Sequence, residues 1–226
     1  MSSSDLSHYN VKEVQAALDR DETARPHIVG ILLAGGTSSR FGTKNKLLAD
    51  FGGASLVYHA AQTLVKAEIN EVVVVVGYEA EAVSNAVSML NVRIVRNRSY
   101  EEGISSSLKC GLRTVSDADA VVFLPGDMPL VAPKTVNVLT DAYRAEFGTA
   151  LAAAYEGIRG NPVLFDRTHF DDLLSTTGDS GGRSILLTNE SGGLIETNDA
   201  GVHVDVDTPN ELAQIRRRNN TDQHSL

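Results

Sequence analysis

Apolar residues follow two alternating rhythms along this chain. Residues 28–34 (IVGILLA), 72–76 (VVVVV) and 120–124 (AVVFL) are apolar at almost every position, and the stretches between them carry apolar residues every three or four positions. The first rhythm predicts strands buried on both faces, and the second predicts amphipathic helices. Helices are expected over 54–67, where Leu56, Val57, Ala60, Ala61, Leu64 and Val65 share a side, and over 79–90, 105–115 and 133–147. A short strand is expected at 92–95. Strands alternating with helices imply an α/β domain: a Rossmann-like, three-layer α/β/α sandwich around a mostly parallel sheet. Crossovers should be right-handed, and a ligand should sit at the carboxyl ends of the strands.

The rhythm loosens after residue 147. A small-residue strand is expected at 149–155, a turn at Gly160-Asn161-Pro162, and a strand at 163–165. The Gly-rich loop 176–182 (TTGDSGG) should open a helix near Arg183. A last strand is expected at 203–206, followed by a helix that starts at Thr208-Pro209 and runs to about Arg217. Residues 11–18 have helical spacing, residues 2–7 are read as disordered, and the polar tail from Arg218 is read as frayed. The expected organisation is an extension over 1–26, one domain over 27–217 and a disordered tail over 218–226.

Composition narrows the function. The 226 residues are 42% hydrophobic, enough for one sizeable core, and no apolar run is long enough to span a bilayer. The first 27 residues lack a signal-peptide apolar segment, and a single cysteine, Cys110, excludes a disulfide framework or a cysteine-rich zinc site. A cytoplasmic location is the expectation, with no membrane partner. A net charge of -9 argues against nucleic-acid binding. Arginines outnumber lysines, a balance that fits either an ordinary acidic protein or adaptation to high salt. An anionic substrate would meet a repulsive overall field, so its site must supply local positive charge.

Residues 31–46, ILLAGGTSSRFGTKNK, contain such a supply. A buried strand breaks into Gly35-Gly36, and a Ser/Thr loop then carries Arg40 and Lys46. Bare backbone N–H groups and two cations meet at a strand end, an arrangement suited to a polyphosphate. No Gly-Lys-Ser/Thr closes the loop and no G-x-G-x-x-G spacing is present, so it is neither a Walker loop nor a dinucleotide fingerprint. On local chemistry alone, a tight turn with two surface cations remains the alternative. A second strand delivers Asp127 to its carboxyl end within LPGDMPL (124–130), where a carboxylate can hold Mg²⁺ together with substrate phosphates or can merely cap the turn. In HVDVDTP (203–209), strand alternation would put Asp205 and Asp207 on one face. Asp207 is also placed to cap the last helix, which leaves Asp205 as the preferred second ligand.

Six ordered motifs, LAGGTSSRFG with Lys46, EGISSSLKCGL, LPGDMPLV, GNPVLF, GDSGGR and DVDTPNEL, resemble those of the MobA-like nucleotidyltransferases. The likeness runs from about Ile28 to Ile215 and is greatest to the molybdenum cofactor cytidylyltransferase branch, with the nucleotide-diphospho-sugar transferase type of fold. It implies that Leu33, Ala34, Gly35, Gly36, Thr37, Ser38, Ser39 and Arg40 wrap a nucleoside triphosphate. Gly77, Ser105, Ser106, Pro125 and Gly126 are expected beside that nucleotide. Arg40 and Lys46 would neutralise phosphates, Asp127 with Asp205 would hold Mg²⁺, and Arg40, Lys46 and Asp127 would be the catalytic set. Asn161, Asp179 and Arg183 would face the acceptor.

The implied reaction joins a nucleoside monophosphate from CTP to the terminal phosphate of molybdopterin and releases pyrophosphate. An ionised phosphate nucleophile needs no general base, so none of the six histidines is assigned one; His59, His169 and His203 are read as structural or solvated. The Gly35-Gly36 pair resembles the guanylyltransferase branch, where the cytidylyltransferase branch has Ala-Gly, so GTP stays open through the room a bare Gly35 would leave beside the base. A sugar-phosphate acceptor and a non-catalytic cofactor chaperone for molybdenum hydroxylases, partnered with their maturation proteins, also stay open.

Overall fold

Strand β2 (Ile28–Ala34) lies in the middle of the molecule because it is apolar on both faces: Ile28, Leu32 and Ala34 face one helical layer and Val29 and Ile31 the other. The computed structural model describes residues 6–18, 25–42, 44–179 and 181–223. The disorder expected at residues 2–5 and at the last three residues lies outside them. Around β2 runs an eight-stranded sheet in the order β1-β10-β8-β9-β7-β2-β5-β6, with β1 Ser7–Asn10, β5 Glu71–Val76, β6 Arg93–Arg96, β7 Ala120–Pro125, β8 Ala150–Tyr155, β9 Ile158–Asp166 and β10 Gly192–Glu196. Every pairing is parallel except the two that β9 makes with β7 and β8. A two-stranded ribbon, β3 (Asp50–Phe51) with β4 (Ala54–Ser55), stands apart.

Two cores flank the sheet. One packs Val57, Ala60, Ala61 and Leu64 of α2 (Leu56–Val65), Val83 of α3 (Ala80–Ala86), Val136 and Leu139 of α5 (Pro133–Arg144) and Val14 of α1 (Val11–Leu18). The other packs Leu108 and Leu112 of α4 (Ile104–Leu112), Phe170 and Leu173 of α6 (Phe170–Ser175) and Leu186 of α7 (Arg183–Thr188). Each fully buried aliphatic side chain contributes about 1.5–3 kcal/mol, which makes these stripes the main reason the three layers hold. No helix among the described residues is long and apolar enough to cross a membrane.

The expected elements return with shifted ends, and four expectations need correction. Residues 160–162 are not a turn. The chain reverses at Glu156-Gly157, both at positive φ (52° and 74°), as a two-residue hairpin that follows the strand twist requires. Gly160, Asn161 and Pro162 then lie inside β9, at a register shift against β8, where an interior strand tolerates a proline. Residues 203–206 are not a strand; a 3-10 turn, Ala200–His203, capped by Asp199, buries Val202, and Val206 is buried just beyond it. Ser7, read as disordered, begins β1, so the N-terminal extension adds an edge strand to the main sheet. The last helix, α8 (Pro209–Gln223), continues past Arg217 through part of the stretch read as frayed.

Asp166 closes β9. It accepts the Thr168 N–H at 2.8 Å, the Thr168 hydroxyl at 2.6 Å and the Tyr143 hydroxyl at 2.6 Å. Partial burial pushes its pKa up, but these donors outweigh that and hold the carboxyl below its ordinary value. A lowered folded pKa gives stability that is present above the ordinary carboxylate range and lost as pH falls through the folded value. Asp166→Asn should therefore cost about 1 kcal/mol at neutral pH. Denaturant midpoints of variant and parent should converge below about pH 4.

Candidate active site

The sheet changes winding direction at β2. β5 and β6 lie to one side of it, and the chain then crosses back to place β7 on the other side. The loops leaving β2 and β7 therefore diverge and open a crevice at the carboxyl ends of the strands. The two rims are tied together, since the Gly126 N–H donates to the Leu33 carbonyl at 3.0 Å.

The loop after β2 is braced from below. Ser38 sits at φ 58° and accepts the Phe41 N–H on its carbonyl at 2.9 Å. Its hydroxyl donates to Asn45 Oδ1 at 3.2 Å and accepts the Lys46 N–H at 3.1 Å. Asn45 in turn caps the 3-10 turn Lys46–Leu48 and donates to the Tyr78 carbonyl. A Cβ at Gly36 would meet nothing within 4 Å, so its backbone faces open space. Gly35 is different: a Cβ there would come within 2.6 Å of Ser107 Oγ. The room expected beside a bare Gly35 is thus already taken by Ser107. Gly77 packs equally tightly, with its Cβ position 2.5 Å from Tyr100 Cβ and 2.7 Å from the Gly35 carbonyl oxygen.

The charged groups converge across the crevice. Lys46 Nζ lies 2.5 Å from Asp127 Oδ2 and 2.7 Å from Asp207 Oδ1, with all three side chains under a fifth exposed. Arg40, largely exposed, reaches Asp207 Oδ2 at 2.5 Å. Burial acts to lower the Lys46 pKa, but the charges and hydrogen bonds of Asp127 and Asp207 outweigh it and hold the ammonium above its ordinary value. Asp205 is pushed upward, first by desolvation on its packed side and then by the charges of Asp127 and Asp207, although its surface is exposed to water.

Asp207 does not cap α8. Thr208 and Glu211 form a reciprocal box: the Glu211 carboxylate accepts the Asp207 and Thr208 N–H groups at 2.9 and 2.8 Å, and Thr208 Oγ1 accepts the Glu211 N–H at 3.3 Å. The Asp207 carboxylate is thereby freed to face Lys46. The Val206 N–H donates to the Asp127 carbonyl at 3.0 Å and pins the 205–207 segment to the β7 loop.

These residues suit a hard divalent cation. Asp127 Oδ1 is buried with no hydrogen-bond partner, and the carboxylates of Asp205 and Asp207 line the same lobe. No three acidic, His or Cys side chains among the described residues are arranged to hold a metal unaided. Phosphate oxygens and water would have to complete its shell, as Mg²⁺ ordinarily requires.

A cleft of about 580 Å³ gathers most of the predicted residues: Leu33, Gly35, Gly36, Thr37, Ser38, Ser39, Arg40, Lys46, Pro125, Asp127 and Asp179 all line it. It also takes in Tyr100, which sequence reading passed over. Of the eight others, five line neither it nor the lobes beside it. Ala34 points into the core, Gly77 and Gly126 brace the loops, the Ser105 N–H is spent on the Gly178 carbonyl, and Ser106 is bonded to Asn97. Two lobes open from the cleft: one of 440 Å³ with Asp205 and Asn161, and one of 280 Å³ with Asn161 and Arg183. Arg159 lines both and was missed by sequence reading, because only the β9 hairpin brings it there. His59 bonds the Phe51 carbonyl, His169 the Thr149 hydroxyl and His203 the Ile158 carbonyl, all consistent with structural roles. Cys110 is half-buried, its thiol pushed up by burial.

A doubly wound, mostly parallel sheet with such a rim is the architecture of the nucleotide-diphospho-sugar transferase type. Residues 30–192 match the model of the MobA-like NTP transferase domain, and the chain belongs to that nucleotidyltransferase family. It is 29% identical over 203 residues to the nicotine blue oxidoreductase of Paenarthrobacter nicotinovorans, covering 86% of this chain and 98% of that protein. It is 26% identical over 203 residues to the purine catabolism protein PucB of Bacillus subtilis strain 168, covering 85% and 97%. The crystal structure of Rv0371c from Mycobacterium tuberculosis H37Rv superposes with a TM-score of 0.76 at 26% identity, over 86% of this chain and 100% of that one. A manganese complex of Rv0371c gives a TM-score of 0.72 at 24% identity, over 84% and 98%.

Proposed function

We propose that this protein transfers a cytidine monophosphate unit from CTP to the terminal phosphate of molybdopterin, with Mg²⁺. The observation that carries this reading is the meeting of Lys46 and Asp127, 2.5 Å apart, beside a glycine loop at the sheet's switch point. An acceptor phosphate oxygen forms a bond to the α-phosphorus, the bond from that phosphorus to the bridging oxygen breaks, and its electron pair leaves with pyrophosphate. The nucleophile is already ionised, so no base is required. The task is positioning and charge neutralisation.

Backbone amides at Gly36 and Thr37 face the triphosphate. Arg40 swings from Asp207 to the phosphates, and Lys46 holds the charge that develops on the leaving group. Asp127, with Asp205 and Asp207 beside it, would hold the Mg²⁺, whose chemistry is to neutralise phosphate oxygens. Manganese in the mycobacterial protein of the same fold supports a divalent ion here.

The choice of CTP rests on Ser107. Its hydroxyl stands 2.6 Å from where a Cβ at Gly35 would be, so the bare glycine leaves no open side there, and this supports CTP. Incubation with Mg²⁺ and each nucleoside triphosphate, with and without molybdopterin, should release pyrophosphate with CTP and acceptor together. Release with GTP while CTP stays silent would replace this reading with the guanylyltransferase one.

A further inference from the structure

The side lobe of 280 Å³ combines two features that the triphosphate cleft does not explain. Leu33, Leu108, Phe123 and Val163 give it apolar walls, and Arg159 and Arg183 both border it. Neither arginine has a hydrogen-bond or ion-pair partner among the described residues. The neighbouring carboxylate, Asp179, is engaged instead with the Ile104 N–H at 3.2 Å. Arg159 is half-buried on β9, where desolvation and then the like charge of Arg183 both act against its protonated form. Folded proteins rarely leave a half-buried guanidinium unanswered. An anion between the two side chains would remove both costs at once, and the planar guanidinium fork matches a phosphate's oxygens.

Arg159 also borders the lobe that contains Lys46, Asp127 and Asp207. An anion held by Arg159 therefore stands on a wall continuous with the proposed reaction centre. The apolar walls beside it suit a flat ring system better than a polyhydroxylated sugar.

We infer that Arg159, with Arg183 across the lobe, binds the phosphate monoester of the acceptor while the apolar walls receive its ring system. The inference rests on the nucleotidyltransfer reading and assigns the acceptor's place within it. The two arginines fix which phosphate becomes the nucleophile, and Arg159 is a binding residue for it.

Phenyl phosphate, an aromatic phosphomonoester, is a simple probe, titrated calorimetrically against the full chain without nucleotide. Arg159→Gln should weaken its binding about tenfold to a hundredfold, the loss expected for charge-assisted hydrogen bonds. Arg159→Lys keeps the charge, guards against a folding artefact and should recover part of the affinity. CTP binding with Mg²⁺ should be unchanged in both variants, and in turnover the acceptor KM should rise while the CTP KM holds. Equal phenyl phosphate affinity in parent and Arg159→Gln, or an equal fall in CTP affinity, would overturn the assignment. If phenyl phosphate binds through Arg159 while no triphosphate is turned over with molybdopterin, the anion site stands and the reaction assigned above fails.

Discussion

Asp127→Asn is expected to leave a folded protein whose metal-dependent pyrophosphate release falls by about a thousandfold, the scale seen when one preorganised charge-stabilising group is lost. Asparagine keeps the shape of the side chain and removes its charge. Shape matters because the residue sits in the tight β7 loop, whose backbone is held by Gly126 to Leu33 and Val206 to Asp127. Neither bond uses the carboxylate. Charge matters because Asp127 Oδ1 is buried without a partner, an arrangement that costs about 1–3 kcal/mol in a protein with no bound cation. Stability should change modestly: the variant loses an ion pair to Lys46, but Lys46 keeps Asp207, and the buried position that Oδ1 holds stays polar without carrying charge. Pyrophosphate release across a Mg²⁺ titration, with urea unfolding alongside, separates the two effects. Turnover near the parental rate at saturating Mg²⁺ would remove Asp127 from the metal site.

The parts of this molecule that were legible in its sequence are those in which one stretch of chain decides the outcome. β2, β5 and β7 could be read because burial on both faces forces an apolar residue at every position. The crevice could be read because two such strands end in Gly35-Gly36 and in Pro125-Gly126-Asp127. β10 could not. Its sequence GGLIE lacks the β-branched signature, and its glycines are present because the Leu186 carbonyl, Leu6 and Tyr9 press against the backbone. The role of Asp207 was hidden by a local competitor. An Asp before a helix reads as a cap, yet Thr208 and Glu211 perform that task between themselves. The packing at Gly35 was hidden for a similar reason, since the neighbour that occupies its empty side, Ser107, lies on α4 and is distant in sequence. Arg159 becomes visible only when the hairpin at Glu156-Gly157 folds β9 back beside β8.

Lys46→Met should lower both turnover and stability, and a divalent cation should restore only the second. The methionine keeps the apolar stem and deletes the ammonium that stands between Asp127 and Asp207. Removing one partner from a mostly buried pair leaves carboxylates uncompensated, and the loss expected is about 3 kcal/mol. That is the lower end for such sites, because Arg40 still answers Asp207 from the solvent side. Asp127 and Asp207 then face a gap with no internal cation in it, where a dication would complete its shell with water. Mg²⁺ or Mn²⁺ at a hundred times its dissociation constant would return about 2.7 kcal/mol by mass action, nearly closing the deficit. The parent protein should gain less, because a dication at Asp127 must compete there with the Lys46 ammonium. Thermal unfolding of parent and variant across a metal titration, without nucleotide, tests this directly. A larger metal-induced shift in the variant supports Lys46 as the cation that balances the rim, while equal shifts would mean that metal and lysine do not share these carboxylates. Turnover should stay about a hundredfold to a thousandfold down even at saturating metal, because the charge on the departing pyrophosphate loses a donor that a dication at Asp127 does not replace.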